Sequence, residues 1–228
     1  MIDLSRDRDV FVLRWDDGAD NRFNATSIAS LNDALDQVEG AAGPKALVVT
    51  GAGKFFSNGL DLDWMGSDRC DDVGSFLASV VQLMGRVLAF PAITVAAING
   101  HAFAGGAMLA VAHDHRVMRE DRGFWCTPEV DLGMRFAPGM NDVLVAKLPG
   151  STAHRAMTLG HRYGGPEALE AGVVQSITTE DEVVSAAVDH AAQHVDKAGP
   201  VLAAIKRDLH PVAVASCAAG TLPPPLDE

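Results

Sequence analysis

Apolar and polar residues follow two different periods along the first 137 residues of the chain. The segments DVFVLRW (9–15), KALVVTG (45–51), ITVAAI (93–98) and HRVM (115–118) are short and rich in β-branched residues, which predicts strands. Between them, apolar residues recur at helical spacing over 28–38 and 72–89, and Gly105-Gly106 begins a helix of small residues that runs through Ala112. Strands separated by helices pair in parallel through crossovers, so this pattern predicts an α/β fold.

After residue 137 the pattern becomes mostly helical. Helical spacing predicts helices over 139–148, 151–159, 166–171, 180–196 and 200–209, with VVQSI (173–177) as the one strand in this part. The last residues, GTLPPPLDE (220–228), are proline-rich and are predicted to fray.

Composition narrows the class of protein. The 228 residues are 48% hydrophobic and 21% charged, as in globular proteins with a core of their own. The formal net charge of −12 argues against sequence-independent binding to nucleic acid, which depends on neutralising phosphates, and leaves an anionic ligand at a local cation or helix N-terminus open. Three dispersed cysteines without a C-x-x-C motif argue against zinc and favour a reducing compartment. The N-terminus has no apolar stretch of the secretory kind, so a cytoplasmic protein is expected.

One uncharged stretch is long enough to raise the question of a membrane span. Residues 87–112 contain no Asp, Glu, Lys or Arg, and a stretch of this length can span a bilayer. Pro91, Asn99-Gly100-His101 and Gly105-Gly106 divide it into short pieces, which favours buried strands and a buried helix. We therefore expect no membrane span.

Two glycine-containing segments are candidates for presenting backbone N–H groups to a ligand. GAGKFFSNG (51–59) is not a phosphate-binding Walker loop, because Val48 stands where the first glycine is needed and Phe55 follows Lys54. Asn58-Gly59 suits either a hairpin turn or a loop that presents backbone N–H groups. Gly105-Gly106, at a helix start, suits either close packing or a ligand that accepts from unpaired N–H groups.

Glu129 is the candidate acid–base group. It lies in FWCTPEVDLG (124–133), where apolar neighbours would raise its pKa toward the range of a general base at neutral pH. The alternative is a solvated loop glutamate, and Asp131 faces the same choice. His113 and His115 are expected to be surface or structural residues, since no histidine has metal-ligand spacing.

Four segments in this order resemble one known family. FFSNGLDL (55–62), NGHAFAGGAMLAVAHDHRV (99–117), PEVDLG (128–133) and GHRYGGPEALEAGVV (160–174) together resemble the crotonase (enoyl-CoA hydratase/isomerase) superfamily. The resemblance is closest to the single-glutamate, plant-type Δ3,Δ2-enoyl-CoA isomerases. It implies a repeated ββα spiral core over 1–178 and a helical C-terminal region over 179–228 that forms a homotrimer or a dimer of trimers.

The resemblance also implies catalytic roles. The backbone N–H groups of Leu60 and Gly105 take the position of the family's oxyanion hole, and Glu129 that of the acid–base glutamate. Hydratases of the family carry a further glutamate where this chain has Met108. The implied reaction is therefore the isomerisation of a 3-enoyl-CoA to a trans-2-enoyl-CoA. Hydration or thioester hydrolysis through Glu129, and a non-catalytic subunit that binds CoA esters, remain alternatives.

The implied ligand is an acyl-CoA, with coenzyme A as part of the substrate and no permanently bound cofactor or metal. Arg22 and Lys206 are the implied phosphate partners, and MRFAPGMND (134–142) departs from the glycine-rich stretch of hydratases at the acyl pocket. The full set of implied substrate-binding residues is Arg22, Phe23, Asn58, Gly59, Asp61, Leu62, Gly106, Met108 and Lys206.

Overall fold

The structure, a computed structural model, describes residues 1–224. Its strands are β1 (Ile2–Asp7), β2 (Val10–Trp15), β3 (Arg22–Phe23), β4 (Ala46–Gly51), β5 (Phe55–Ser57), β6 (Gly59–Leu60), β7 (Ile93–Ile98), β8 (His101–Phe103), β9 (His115–Arg119), β10 (Trp125–Cys126) and β11 (Ser176–Thr178). Its helices are α1 (Ala25–Gly40), α2 (Leu62–Met65), α3 (Val73–Leu88), α4 (Gly105–Ala112), α5 (Pro138–Lys147), α6 (Gly150–Leu159), α7 (Gly165–Glu170), α8 (Val183–Ala192), α9 (Pro200–Leu209) and α10 (Pro211–Ala219).

The largest sheet has six strands in the order β1-β2-β4-β7-β9-β11. β1 is antiparallel to β2, and every other pair in this sheet is parallel. The register aligns Val12 with Val48 and Val48 with Val95, so β-branched side chains stack across neighbouring strands. All six residues of β4 are buried, which is why its sequence lacks the alternation of a half-exposed strand.

Helices cover both faces of this sheet. The face that carries Val48 and Val95 packs against α8, and the opposite face, with Leu47 and Val49, belongs to the main core together with α1, α3 and α4. Because α8 lies within the predicted C-terminal region, that region packs directly on the sheet. The boundary after residue 178 stays a prediction.

A second, three-stranded sheet lies beside the first and has the order β10-β8-β5. Both of its strand pairs are parallel. All three strands therefore end at the same edge, and the segments that follow them lie next to one another.

Most of the predicted elements are confirmed, and the differences have local causes. The helix expected over 180–196 is broken into a 3₁₀ turn at Glu180–Glu182, α8, and a second 3₁₀ turn at Val195–Lys197. The strand expected at 173–177 lies at Ser176–Thr178. The hairpin considered at Asn58-Gly59 does not form, because β6 pairs in parallel with β3.

The uncharged stretch over 87–112 becomes the end of α3, then β7, β8 and α4. Across residues 1–224, no helix combines the length and the apolar character needed to cross a bilayer.

Candidate active site

The site lies at the edge where the three strands of the smaller sheet end. β5 leads into Asn58-Gly59-Leu60, β8 into Ala104-Gly105, and β10 into Thr127-Pro128-Glu129. The backbone N–H of Ala104 donates to the Cys126 carbonyl at 3.0 Å, which joins the ends of β8 and β10. Three segments far apart in sequence thus meet through parallel pairing.

The Gly105 amide is one candidate oxyanion donor. Gly105 is the first residue of α4, and the first α-helical bond of this turn runs from the Met108 N–H to the Ala104 carbonyl. The N–H of Gly105 therefore has no acceptor within its own helix and points out of the positive end of the helix dipole. Ala104 has a φ of 49°, an unfavourable backbone geometry for a residue with a side chain, and strained residues of this kind cluster at active sites and ligand clamps.

The Leu60 amide is the other candidate donor. The N–H of Asp61 donates to the Phe23 carbonyl at 3.0 Å. Because successive N–H groups of a strand point in opposite directions, the Leu60 N–H points away from β3. Gly59 has a φ of +77°, and a Cβ at Gly59 would lie 3.1 Å from the Gly105 nitrogen. Glycine is thus needed for the two donor segments to touch.

The segment before Glu129 is held by hydrogen bonds on both sides. The Thr127 hydroxyl donates to the Ala156 carbonyl at 3.1 Å, and the Trp125 indole donates to the Ala107 carbonyl in the first turn of α4 at 2.9 Å. The N–H of Met134 donates to the Glu129 carbonyl at 2.8 Å and closes a turn. The Glu129 backbone is therefore fixed relative to the helix that carries the Gly105 amide.

The Glu129 side chain is buried, so the alternative of a solvated loop glutamate is wrong. The residue is 6% exposed, and its Oε2 has no hydrogen-bond partner among the described residues. Burial raises the pKa of Glu129 to about 7. A carboxylate with this pKa accepts and returns a proton near neutral pH.

A cavity of about 360 Å³ joins Glu129 to the two donor segments. Its walls include Glu129, Leu60, Gly105, Asn58 and Leu62. The lining also includes Met134, Arg135, Ala137 and Met140, from the 134–142 stretch expected at the acyl pocket. The sequence did not assign the remaining lining residues, which are Leu77, Ala104, Leu132, Leu222 and Pro223. Most of this surface is apolar, as in a pocket for an alkyl group with a few polar groups at one end.

Several predicted substrate-binding residues pack around the elements that form the site and do not line the cavity itself. Met108 is 1% exposed and packs in the main core, and Phe23 is fully buried. A Cβ at Gly106 would lie 2.4 Å from the Ser57 carbonyl oxygen, so this glycine permits close packing of α4 on β5. Asp61 accepts from the Trp64 N–H at 3.1 Å and begins α2. These side chains and Gly59 do not line the cavity.

Arg22 lies outside the cavity and is paired with acidic residues. Its guanidinium contacts Asp20 at 2.7 Å and Asp63 at 3.7 Å. Its side chain is 34% exposed, so it is accessible, but an incoming phosphate would compete with both carboxylates.

Lys206 requires a correction. It is 5% exposed, and its Nζ donates to the Ala92 carbonyl at 2.8 Å and to Asp114 Oδ2 at 2.6 Å. Burial lowers the pKa of Lys206, and the Asp114 carboxylate opposes that shift. The predicted contact between Lys206 and a phosphate of the substrate is not available, since the ammonium group is used within the fold.

We expect Lys206→Met to lower the free energy of unfolding by about 2–3 kcal/mol. The substitution leaves the Asp114 carboxylate without its cation, and the loss is below the ~3–5 kcal/mol of a fully buried pair because that side chain is 23% exposed. Urea unfolding measures the change. The matched control is Lys197→Met, which removes an exposed pair with Asp196 and should change stability by less than about 1 kcal/mol. A loss of acyl-CoA affinity without a loss of stability would contradict the structural role.

A buried carboxylate lines one apolar cavity with two segments whose backbone N–H groups are candidate donors, an arrangement suited to acid–base chemistry in an enzyme. Residues 6–217 match the family model described as enoyl-CoA hydratase/isomerase. The chain belongs to this family, the crotonase family.

The relatives agree with this assignment. A peroxisomal enoyl-CoA delta isomerase 2 of Arabidopsis thaliana is 34% identical over 222 residues, which cover 92% of each chain. A probable enoyl-CoA hydratase of Bacillus subtilis (strain 168) is 34% identical over 209 residues, 90% of this chain and 80% of the relative. The solved structure of human mitochondrial delta3-delta2-enoyl-CoA isomerase matches with a TM-score of 0.83 at 25% identity, covering 94% of this chain and 84% of that chain.

Proposed function

We propose that this protein is an acyl-CoA double-bond isomerase that converts a 3-enoyl-CoA to a trans-2-enoyl-CoA. The observation that carries the proposal is the single buried carboxylate of Glu129, with its unpartnered Oε2, in one cavity with the Leu60 and Gly105 segments. The isomerase relatives support it at the level of the family.

Glu129 acts as a proton shuttle. Its carboxylate removes a proton from C2, and the electron pair of the C–H bond moves through C1 onto the thioester oxygen. The N–H groups of Leu60 and Gly105 stabilise the resulting dienolate oxygen, a contribution of about 10²–10³ in rate for one such donor. The protonated Glu129 then returns the proton to C4, and the double bond moves from C3–C4 to C2–C3. The proton taken from C2 is the one returned to C4, so substrate and product are isomers. The reaction therefore requires no redox cofactor.

Hydration is the second candidate, because a relative is named as a probable hydratase. Water addition in the family uses a second glutamate, and here that position is the buried, apolar Met108. Asp131 does not replace it, since Asp131 is exposed and its Oδ2 lies against Gly160, at 2.6 Å from the position of a Cβ there. A lone carboxylate serves sequential proton transfers better than the orientation of a water molecule.

The wider assignment follows from the same proposal. The substrate is an acyl-CoA from fatty acid metabolism, such as β-oxidation, and coenzyme A enters only with it.

A homotrimer or a dimer of trimers is supported by exposed apolar residues on α9 and α10, where Val201, Leu209 and Val212 are 66–71% exposed. The cytoplasmic location stays a prediction, since two relatives of Arabidopsis thaliana are named peroxisomal.

Product analysis tests the proposal. We expect the protein to convert 3-enoyl-CoA to 2-enoyl-CoA, and to add water to 2-enoyl-CoA or release free CoA at least about 100-fold more slowly, a difference that corresponds to about 2.7 kcal/mol. Dominant hydration or thioester hydrolysis would identify the alternative reactions. Binding of acyl-CoA without turnover of any ester would indicate a non-catalytic subunit.

A further inference from the structure

We propose that Leu222 forms the distal wall of the acyl pocket and thereby limits the length of acyl chain that the enzyme accepts. We call residues 221–224 the wall segment. The inference rests on the proposed function for the nature of the ligand, and it adds a specificity-determining residue outside the four motifs that resemble the family.

The wall segment is fixed where it leaves α10. Gly220 ends α10 in the left-handed conformation with a φ of 59°, and its N–H donates to the carbonyls of Ser216 and Cys217. A Cβ at Gly220 would lie 3.1 Å from the Ala78 Cβ on α3. The chain therefore turns sharply against α3 at this point.

The wall segment is also held at its far end. Arg135, in the loop before α5, donates from Nη1 to the Pro224 carbonyl at 2.9 Å. Pro223 and Pro224 have fixed φ angles, so the short connection between the two attachments is stiff.

Between these attachments, Leu222 faces the candidate active site. It lines the same cavity as Glu129, and its Cδ1 lies 4.0 Å from the position of a Cβ at Gly74, in the first turn of α3. Leu77, one turn further along α3, lines the same cavity. Leu222 is 37% exposed, so its side chain separates the apolar interior of the cavity from solvent.

A second depression of about 550 Å³ lies next to the end of the wall segment. It is lined by Pro223 and Pro224 together with residues of the 134–142 stretch such as Phe136. Pro223, Met134 and Arg135 line both spaces and lie between them. Leu222 lines only the cavity and is partly exposed, so a smaller residue at 222 would remove the barrier between the end of the cavity and solvent.

The test measures dissociation constants for saturated acyl-CoAs from butanoyl-CoA to tetradecanoyl-CoA by calorimetry, which requires no turnover. Each added methylene should strengthen binding to the wild-type protein by about fourfold until the chain meets the wall, and then cease to do so. Leu222→Ala, and a variant that ends at Gly220, should move this limit to longer chains. The ester two methylenes beyond the wild-type limit should then bind about 16-fold tighter. Leu222→Trp should move the limit to shorter chains.

The matched control is Leu169→Ala, because Leu169 on α7 is 39% exposed, close to the 37% of Leu222, and does not line the cavity. Melting curves confirm that each variant is folded. The same limit in all folded variants would overturn the role of Leu222 and leave the proposed function intact. Failure of the wild-type protein to bind any acyl-CoA would overturn both.

Discussion

Glu129→Gln should lower kcat for isomerisation of a 3-enoyl-CoA by roughly 10²–10⁴ while acyl-CoA affinity changes by less than about threefold. The amide has nearly the shape of the carboxyl group but neither removes the C2 proton nor returns it to C4. Because the side chain is buried within the cavity, bulk water does not substitute for it as a base. Steady-state kinetics and calorimetry with a saturated acyl-CoA separate the two effects. Near-wild-type kcat in the variant would remove Glu129 from the mechanism.

The pH dependence gives an internal control for this variant. Glu129 is active as a base only when it is deprotonated, and burial raises its pKa to about 7. We therefore expect wild-type kcat/KM to rise with pH through about 7 and then to level off, and the residual activity of Glu129→Gln to lack this rise. The variant should melt no lower than the wild-type protein at pH above the Glu129 pKa, because an ionised buried carboxylate costs stability that the neutral amide does not. A marked loss of stability would mean that the lower kcat reflects folding.

Local patterns were sufficient to predict the frame of the fold. ITVAAI and HRVM are strands at the predicted places, because a short β-branched run bounded by turn residues has few other ways to be buried. α10 (Pro211–Ala219) was not predicted, since small side chains give it no clear apolar stripe. Its burial depends on close approach to other helices, with a Cβ at Gly85 lying 2.4 Å from the Cys217 Cβ. Such contacts join distant parts of the chain and have no local signature.

The candidate site, like the fold, was predicted only in part from the sequence. The resemblance placed Glu129 and the Leu60 and Gly105 segments, and the structure brings these three segments to one cavity. Composition alone left Glu129 undecided between solvent and burial, because burial is set by what packs over the loop. Lys206 was misassigned for the same reason. A basic residue near the end of the chain gives no sign that its Nζ donates a hydrogen bond to Asp114, which is far away in sequence.

Leu222 shows the limit of sequence reasoning most directly. A proline-rich terminus predicts fraying, and the part of it that the structure describes lies against α3 and Arg135 instead. Met134, Ala137 and Met140, in the 134–142 stretch that departs from the hydratase pattern, line the same cavity. Under the proposed function, these apolar side chains would provide wall area for the acyl chain, which a glycine-rich stretch would not.

The second large effect should come from removing one backbone donor. We expect replacement of Leu60 by its α-hydroxy acid, which exchanges the backbone N–H for an ester oxygen and keeps the side chain, to lower kcat by about 10²–10³. The N–H of Leu60 points away from β3, so the strand pairing through the Asp61 N–H to the Phe23 carbonyl is retained. The loss should therefore fall on the transition state, in which the thioester oxygen carries its charge, and the Kd of a saturated acyl-CoA should change by less than about tenfold.

The same replacement at Asp61, by its own α-hydroxy acid, is the matched control. It removes the N–H that pairs with β3 and leaves the Leu60 N–H in place, so we expect it to lower the free energy of unfolding by about 1 kcal/mol and to leave most of kcat intact. Opposite rankings of the two esters in kcat and in stability would separate a donor that binds charge from one that holds a strand. Equal kcat in the Leu60 ester and the wild-type protein would mean that the oxyanion relies on the Gly105 amide alone, which at the positive end of α4 would then supply the whole electrostatic contribution.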